Sequence, residues 1–296
     1  MMHKSKKIIL SVILLTISQV YISCNKDDAE PSITAASIEL ISGDNQTAEF
    51  LTTLSNPIVI LVKDKNGIAL QSAKVRFSLS EGSVSDSTAI TDSNGKAETI
   101  WTLGETIGKQ TLSVTALDID GKTVSNCSTL IVNATGLLEI GSYYAGGIVF
   151  YIDQTGKHGF ACTLSDQSSA AEWGCYATSL DGADGTSIGT GEQNTLDIVS
   201  GCYTIGTAAH LCYTLNYNSY SDWFLPSVDE LSYMYHNKNT INEVAVSNGG
   251  EALFEDYYWS SSDYSSWQAW PFIFTDGNSG TMEKNIKARV RAVRAF

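Results

Sequence analysis

From Ala35 to Ala134 the chain is a series of short apolar runs broken by turn signals about every ten residues, the rhythm of an all-β sandwich. The runs are PIVILVKD, AKVRFSLS, KAETIWTL, KQTLSVTALD and STLIVNA. In KVRFSL, Val75, Phe77 and Leu79 alternate with Arg76 and Ser78, so one face of that strand is buried and the other wet. KDKNG and DSNG, ending at Gly67 and Gly95, supply Asn-Gly pairs that accept positive φ and mark hairpin turns. Trp101 falls inside one of these runs, where its ring belongs in the packing.

The pattern changes past a boundary near Thr135 to Gly141. GGIVFYID, Gly146 to Asp153, predicts a central strand, and HGFACTL, His158 to Leu164, its hairpin partner. Leu180 to Thr195 is a polar, glycine-rich insertion. In TAAHLCYTL, Ala208, Leu211, Cys212 and Leu215 share a helical face. A second helix starts at FLPSVDEL, where Ser227 and Glu230 form a capping box behind Pro226, with Leu231, Met234 and Tyr235 as its buried stripe. In the following strand Trp270, Phe272 and Phe274 fall on one face and Trp267, Ala269 and Ile273 on the other, which predicts an interior strand. Ser260 to Ser266 reads as a polar loop between two strands, and ARVRAVRAF as the last strand.

Before these segments, Lys4, Lys6 and Lys7 precede the apolar run Ile8 to Val20, and YISC ends at Cys24. This is the layout of a signal segment, residues 1–23, and its ending resembles a bacterial lipobox, which implies cleavage before Cys24 and acylation of its thiol. The alternative is an ordinary signal peptide with an incidental cysteine. Residues 24–34, with the solvated run NKDDAE, read as a flexible tether. Lys26-Asp27-Asp28 resembles the signal that sends lipoproteins of the Bacteroidetes group to the outer face of the outer membrane. The expected partner at this end is therefore the membrane, through the lipid, with the rest exposed at the cell surface.

Net charge narrows the partners further. At −14 the chain lacks the cationic face that releases counterions from phosphates, so nucleic acid is not an expected partner. Of the six cysteines, Cys127, Cys162, Cys175, Cys202 and Cys212 remain after Cys24, an odd number in an exported chain. Disulfides are expected among Cys162, Cys175, Cys202 and Cys212, with three complete pairings open, and Cys127 reads as a small buried hydrophobe. No Cys or Cys/His spacing suggests zinc.

VKDKNGIALQSAKVRFSLSEGSVS followed by TDSNGKAETIWTLGETIGKQTLSVTA resembles the bacterial Ig-like group 1 domain of invasin and intimin adhesins, over residues 35–134. GGIVFYID, AEWGCYAT, IGTGEQNT, SDWFLPSVDELSYMY, YYWSSSDY and VRAVRAF resemble the Lcl-type C-terminal domain, over residues 136–296. That resemblance implies an α+β, C-type-lectin-like fold related to formylglycine-generating enzymes, with first and last strands paired and long loops on one side. The expected fold class is thus multidomain: an all-β Ig-like sandwich, then an α+β lectin-like domain.

The expected function is non-catalytic binding or adhesion, the sandwich serving as a stalk and the second domain meeting a glycan or protein ligand. The alternative is an accessory subunit of a cell-envelope assembly. An enzyme of the formylglycine-generating type fits worse, because its copper-holding cysteines belong near the end of the domain and the last cysteine here is Cys212. A Cys/His nucleophile with His210 or His236 rests on co-occurrence alone. Candidate ligand residues are Trp173, Tyr176, Asp263 and Tyr264. Asp181, Asp184 and Glu192 are hard oxygen donors that would suit calcium, or else a solvated acidic loop; no other cofactor is implied. Calcium-dependent sugar binding cannot be carried over, since Glu-Pro-Asn, Gln-Pro-Asp and Trp-Asn-Asp are all missing. Lys284, Lys287, Arg289, Arg291 and Arg294 would form a patch for sulfated polysaccharide if they point outward. Otherwise Arg291 and Arg294 pair with carboxylates such as Asp229 or Glu230.

Overall fold

KVRFSL forms the strand Lys74–Leu79, in which Val75 and Phe77 are buried and Lys74, Arg76 and Ser78 exposed. The computed structural model describes residues 34–296, so the signal segment, Cys24 and nearly all of the tether lie outside the described residues. Lys74–Leu79 pairs antiparallel with Gly108–Leu117, which pairs with Leu130–Leu137. Gln46–Glu49 and Thr88–Ile90 complete this five-stranded sheet at its edges. Ser37–Ser42, Ile58–Lys63 and Lys96–Thr99 form a three-stranded sheet. Ile58, Ile60 and Val62 on one sheet meet Val75, Phe77, Leu112, Val114 and Val132 on the other, with Trp101 fully buried in the same core. The result is a two-sheet sandwich whose interior is the apolar half of each alternating run.

One turn chemistry recurs. Asp64, Asp92 and Asp118 each accept the backbone N–H groups two and four residues ahead, and Asp153 accepts that of Thr155 two ahead. The glycines three residues on, Gly67, Gly95, Gly121 and Gly156, have φ of 77°, 74°, 78° and 72°, a conformation glycine adopts without strain. Those hydrogen bonds hold the carboxyls of Asp64 and Asp92 below the usual range, and the Thr155 hydroxyl, with its backbone N–H, does the same for Asp153.

In the second domain Gly147–Ile152 pairs with Gly159–Cys162, and the last strand Val293–Ala295 pairs with Gly159–Cys162. The expected pairing of first and last strands is therefore off by one: the hairpin places its second strand, and not its first, beside the C-terminus. A further sheet runs Ser168–Glu172, Lys287–Val290, Tyr257–Asp263, Gln268–Ile273 and Asn278–Ser279. Four helices pack on these sheets: α1 Gly191–Gly201, α2 Ala208–Tyr213, α3 Val228–His236 and α4 Lys238–Ser247. The pattern of apolar residues predicted α2 and α3. It missed α1, which buries the polar Asn194 and Thr195 beside Ile198, and α4, which buries only Ile241 and Ala245. Trp173, Trp223 and Trp259 pack with α1 and α2, while Phe150, Tyr258, Phe272 and Phe274 pack with α3 and α4. Among the described residues no helix is long and apolar enough to cross a membrane.

A small seam joins the two halves. Phe50 of the sandwich meets Tyr144 edge-on at 5.5 Å, Tyr144 meets Phe296 at 5.3 Å, and Leu138 and Val149 fill the space around them. Ser142 Oγ donates to Glu49 across the same seam.

Candidate functional site

The serines of YYWSSSDY are not a loop. Tyr257–Asp263 is a strand in which Ser260, Ser261 and Ser262 are fully buried. Trp259 pairs with Pro271 and Asp263 with Ala269, so the three serines stand opposite the single residue Trp270. That bulge breaks strict alternation and turns all three inward. Each finds a partner on another segment: Ser260 Oγ donates to the Trp270 carbonyl, Asn194 Nδ2 donates to Ser261 Oγ at 3.2 Å, and Ser262 Oγ donates to the Gly185 carbonyl at 2.7 Å. The expected contact loop thus shrinks to the tip, Tyr264 to Trp267.

Asp263 and Trp173, expected to meet a ligand, are buried. Lys284 Nζ lies 2.9 Å from each Asp263 carboxylate oxygen, donates to the Thr178 carbonyl at 3.2 Å, and sits 4.5 Å above the Trp173 ring. The Trp173 indole N–H donates to the Ser260 carbonyl at 2.8 Å. Burial pushes the Asp263 carboxyl up, opposed by the hydrogen bond from Lys284. These residues are an internal brace.

The other two candidates are at the surface. Tyr176 is 42 % exposed and meets Trp267, 52 % exposed, edge-to-face at 5.0 Å. Tyr264, also exposed, leans on Trp270 at 5.3 Å. Trp267, expected on an apolar strand face, precedes the strand Gln268–Ile273 and lies in the turn. Cys175, next to Tyr176, is bonded to Cys202 at the end of α1. The loop after Cys202 carries Tyr203 and Ile205, both well exposed. Breaking this bridge with Cys175→Ser and Cys202→Ser reopens a separation of 27 residues. The unfolding free energy is expected to fall by about 2–3 kcal/mol in denaturant titration; an unchanged midpoint would show that packing alone holds the loops.

Cys162 and Cys212 are free and buried, so no second bridge forms in this domain. Burial pushes the Cys162 thiol up to about 11 and raises Cys212 as well. Neither can present a thiolate near neutral pH, and His210 and His236 bond instead to backbone groups of Gly206 and Ser232. The Cys/His reading therefore loses its nucleophile.

The cationic cluster is likewise spoken for. Arg291 is fully buried; it donates to Asp166 at 2.7 Å and to the carbonyls of Thr163 and Glu251 at 2.9 and 3.1 Å. Arg289 bonds Asp166 and Asp256, each at 3.1 Å, and Arg294 bonds Asp222 at 2.7 Å. With Lys284 on Asp263, only Lys287 of the five is left outward and free of an ion pair. The partners are Asp166 and Asp222, not Asp229 or Glu230.

Glu230 has a different task. Its carboxylate accepts the N–H of Ser227 at 2.8 Å, completing the capping box of α3, and that of Gly189 at 2.9 Å and Gly191 at 3.4 Å, at the start of α1. Buried between two helix N-termini, it bolts IGTGEQNT to PSVDEL. Desolvation wins over these hydrogen bonds and pushes its carboxyl up to about 7. A Cβ at Gly191 would stand 2.3 Å from Glu230 Oε2, which explains a glycine there.

Asp181, Asp184 and Glu192 are all exposed, Glu192 in the first turn of α1, and among the described residues no group of three acidic, His or Cys side chains could hold a metal ion. Their exposure fits the solvated acidic loop, the other of the two readings.

Residues 162–294 match the family model of the Lcl C-terminal domain. The match opens on Cys162 and closes on Arg294, neighbours on paired strands, and it includes all four helices, the Asp166 and Asp263 ion pairs and the Tyr176–Trp267 pair. No curated protein matches the chain. Among solved structures, the D0-D1 domain of intimin is 22 % identical with a TM-score of 0.25, over 34 % of this chain and 45 % of that one. The Yersinia pseudotuberculosis adhesin InvE is 15 % identical with a TM-score of 0.37, over 87 % of this chain and 70 % of that one. Domains 4 and 5 of the S-layer protein SbsC are 15 % identical with a TM-score of 0.26, over 35 % and 53 %. The chain spans less than half the length of the intimin chain.

Proposed function

We propose that the protein is a surface-anchored, non-catalytic binding protein of adhesion type, in which the Ig-like sandwich acts as a stalk and a C-type-lectin-like domain meets the ligand. The observation that carries this reading is the exposed Tyr176–Trp267 pair, held by a disulfide-tied loop in a domain whose thiols are buried and whose cations are mostly paired. Two aromatic rings exposed side by side form the kind of apolar patch that contact surfaces present, whereas single exposed rings would not. Attachment is through acylated Cys24 to the outer membrane, with residues 24–34 as the tether and the rest facing outward. The test is binding of the purified full chain to a glycan array and to extracellular matrix proteins, with and without a calcium chelator. Capture of a partner from its own cell envelope, with no binding to either panel, would replace adhesion by the accessory-subunit reading.

A further inference from the structure

Lys284 does more than neutralise Asp263. Its backbone N–H donates to the Trp267 carbonyl at 2.9 Å, and its own carbonyl accepts from Trp173 N at 3.0 Å and Gly174 N at 3.3 Å. Its ammonium reaches the Thr178 carbonyl and the Asp263 carboxylate. One residue therefore ties the segment 173–178, which carries Tyr176, to the tip that carries Trp267. The disulfide ties the same segment to the loop of Tyr203 and Ile205. A buried ion pair of this kind adds little net stability, but it fixes geometry. The two rings are thus set at 76° before any ligand arrives, which removes an ordering cost from binding.

The chemistry around the rings is specific. WGCYAT, CYTIGT and YSSWQ hold no charged residue, in a chain of net charge −14. The charges that flank these runs are Glu172, exposed at the end of the strand before WGCYAT, Asp263, buried against Lys284 before YSSWQ, and Glu283, paired in register with Gln268. Along the chain on either side of Trp267, YSSWQ supplies the hydroxyl groups of Ser265 and Ser266 and the amide of Gln268. Flat rings with electron-rich faces attract the C–H face of a pyranose, and neutral hydroxyls and amides exchange hydrogen bonds with its hydroxyl groups. A sulfated or carboxylated polymer would need the cations that Asp166, Asp222 and Asp263 already hold.

We infer that Tyr176 and Trp267 form a preorganised platform for an uncharged glycan, bound without calcium. This rests on the binding-protein reading and names the ligand class for its site. The experiment measures binding of the purified full chain to immobilised laminarin, mannan and chitin oligosaccharides, with heparin and polygalacturonate as anionic arms, in calcium and in chelator. Trp267→Ala, Tyr176→Ala and Trp267→Phe are run alongside, each checked for an unchanged melting curve. The expected result is binding to at least one neutral polymer, insensitive to chelator, weakened at least tenfold by Trp267→Ala or Tyr176→Ala and largely kept by Trp267→Phe. Binding confined to the anionic arms, or neutral binding untouched by both alanine variants, overturns the assignment. Matrix-protein binding with no glycan bound overturns the glycan assignment and leaves the binding-protein reading in place, whereas no binding on any arm removes both.

Discussion

Asp166→Ala is expected to cost about 3–5 kcal/mol of unfolding free energy, because it strips the only carboxylate from an arginine with no access to water. Arg291 keeps its bonds to the carbonyls of Thr163 and Glu251, but those neutral acceptors do not balance a buried charge. The same substitution removes the acceptor of the Tyr258 hydroxyl, 3.0 Å away, and one of the two partners of Arg289. Asp166→Asn separates charge from shape: it preserves the volume and is expected to fall between the wild type and the alanine variant. Chemical denaturation of the three proteins decides the matter. A loss below about 1 kcal/mol in Asp166→Ala would mean that Arg291 finds water or another anion when Asp166 is gone.

The second large effect is expected at Glu230. Glu230→Ala leaves the N–H groups of Ser227, Gly189 and Gly191 without their acceptor at two buried helix starts, and a loss of about 3–5 kcal/mol follows from groups of this kind. pH supplies an independent readout. In the folded protein the carboxyl is pushed up to about 7, above its ordinary value of 4.5, so between those values the native state holds a proton that the unfolded chain has released. Stability from this group is then complete below pH 4.5, declines as pH rises towards 7, and is level above it, by about 3 kcal/mol in all. Glu230→Gln carries no titrating group and is expected to lose that slope between pH 4.5 and 7 while remaining folded. If instead wild-type stability is level across this window and falls only below pH 4.5, and Glu230→Gln abolishes that acid loss, the three N–H donors outweigh burial and the carboxylate stays ionised from pH 4.5 upward.

Legibility in the sequence tracked the range of the interactions involved. The capping box lies within four consecutive residues, and SVDE shows it directly as Ser227 Oγ accepting from Glu230 N–H and Glu230 accepting from Ser227 N–H. The alternation of Val75 and Phe77 needs no knowledge of what packs above them. Helix α1 escaped because its buried face is Asn194 and Thr195, residues that read as solvated until Ser261, Leu225 and Gly185 stand opposite to bond them. Trp267 and Trp173 exchange their expected places for a related reason, the first exposed and the second buried. Both belong to aromatic stretches, yet one indole N–H reaches a carbonyl 87 residues away in the core, and the other ring sits one residue outside its strand. The basic cluster was visible as a run of residues, but its neutralisation was not, since Asp166 lies 125 residues from Arg291 and Asp222 72 from Arg294.

By itself, then, the sequence determined what depends on nearest neighbours along the chain: the period-2 strands of the sandwich, the turns at Gly67 and Gly95, and the start of α3. Tertiary structure decided which cysteines meet, which carboxylate each arginine takes, and which aromatic rings remain in water. The physical reason is that burial and pairing belong to surfaces brought together from distant segments. A single bulge at Ser260 to Ser262 reverses the facing of a strand end, and no local pattern announces it.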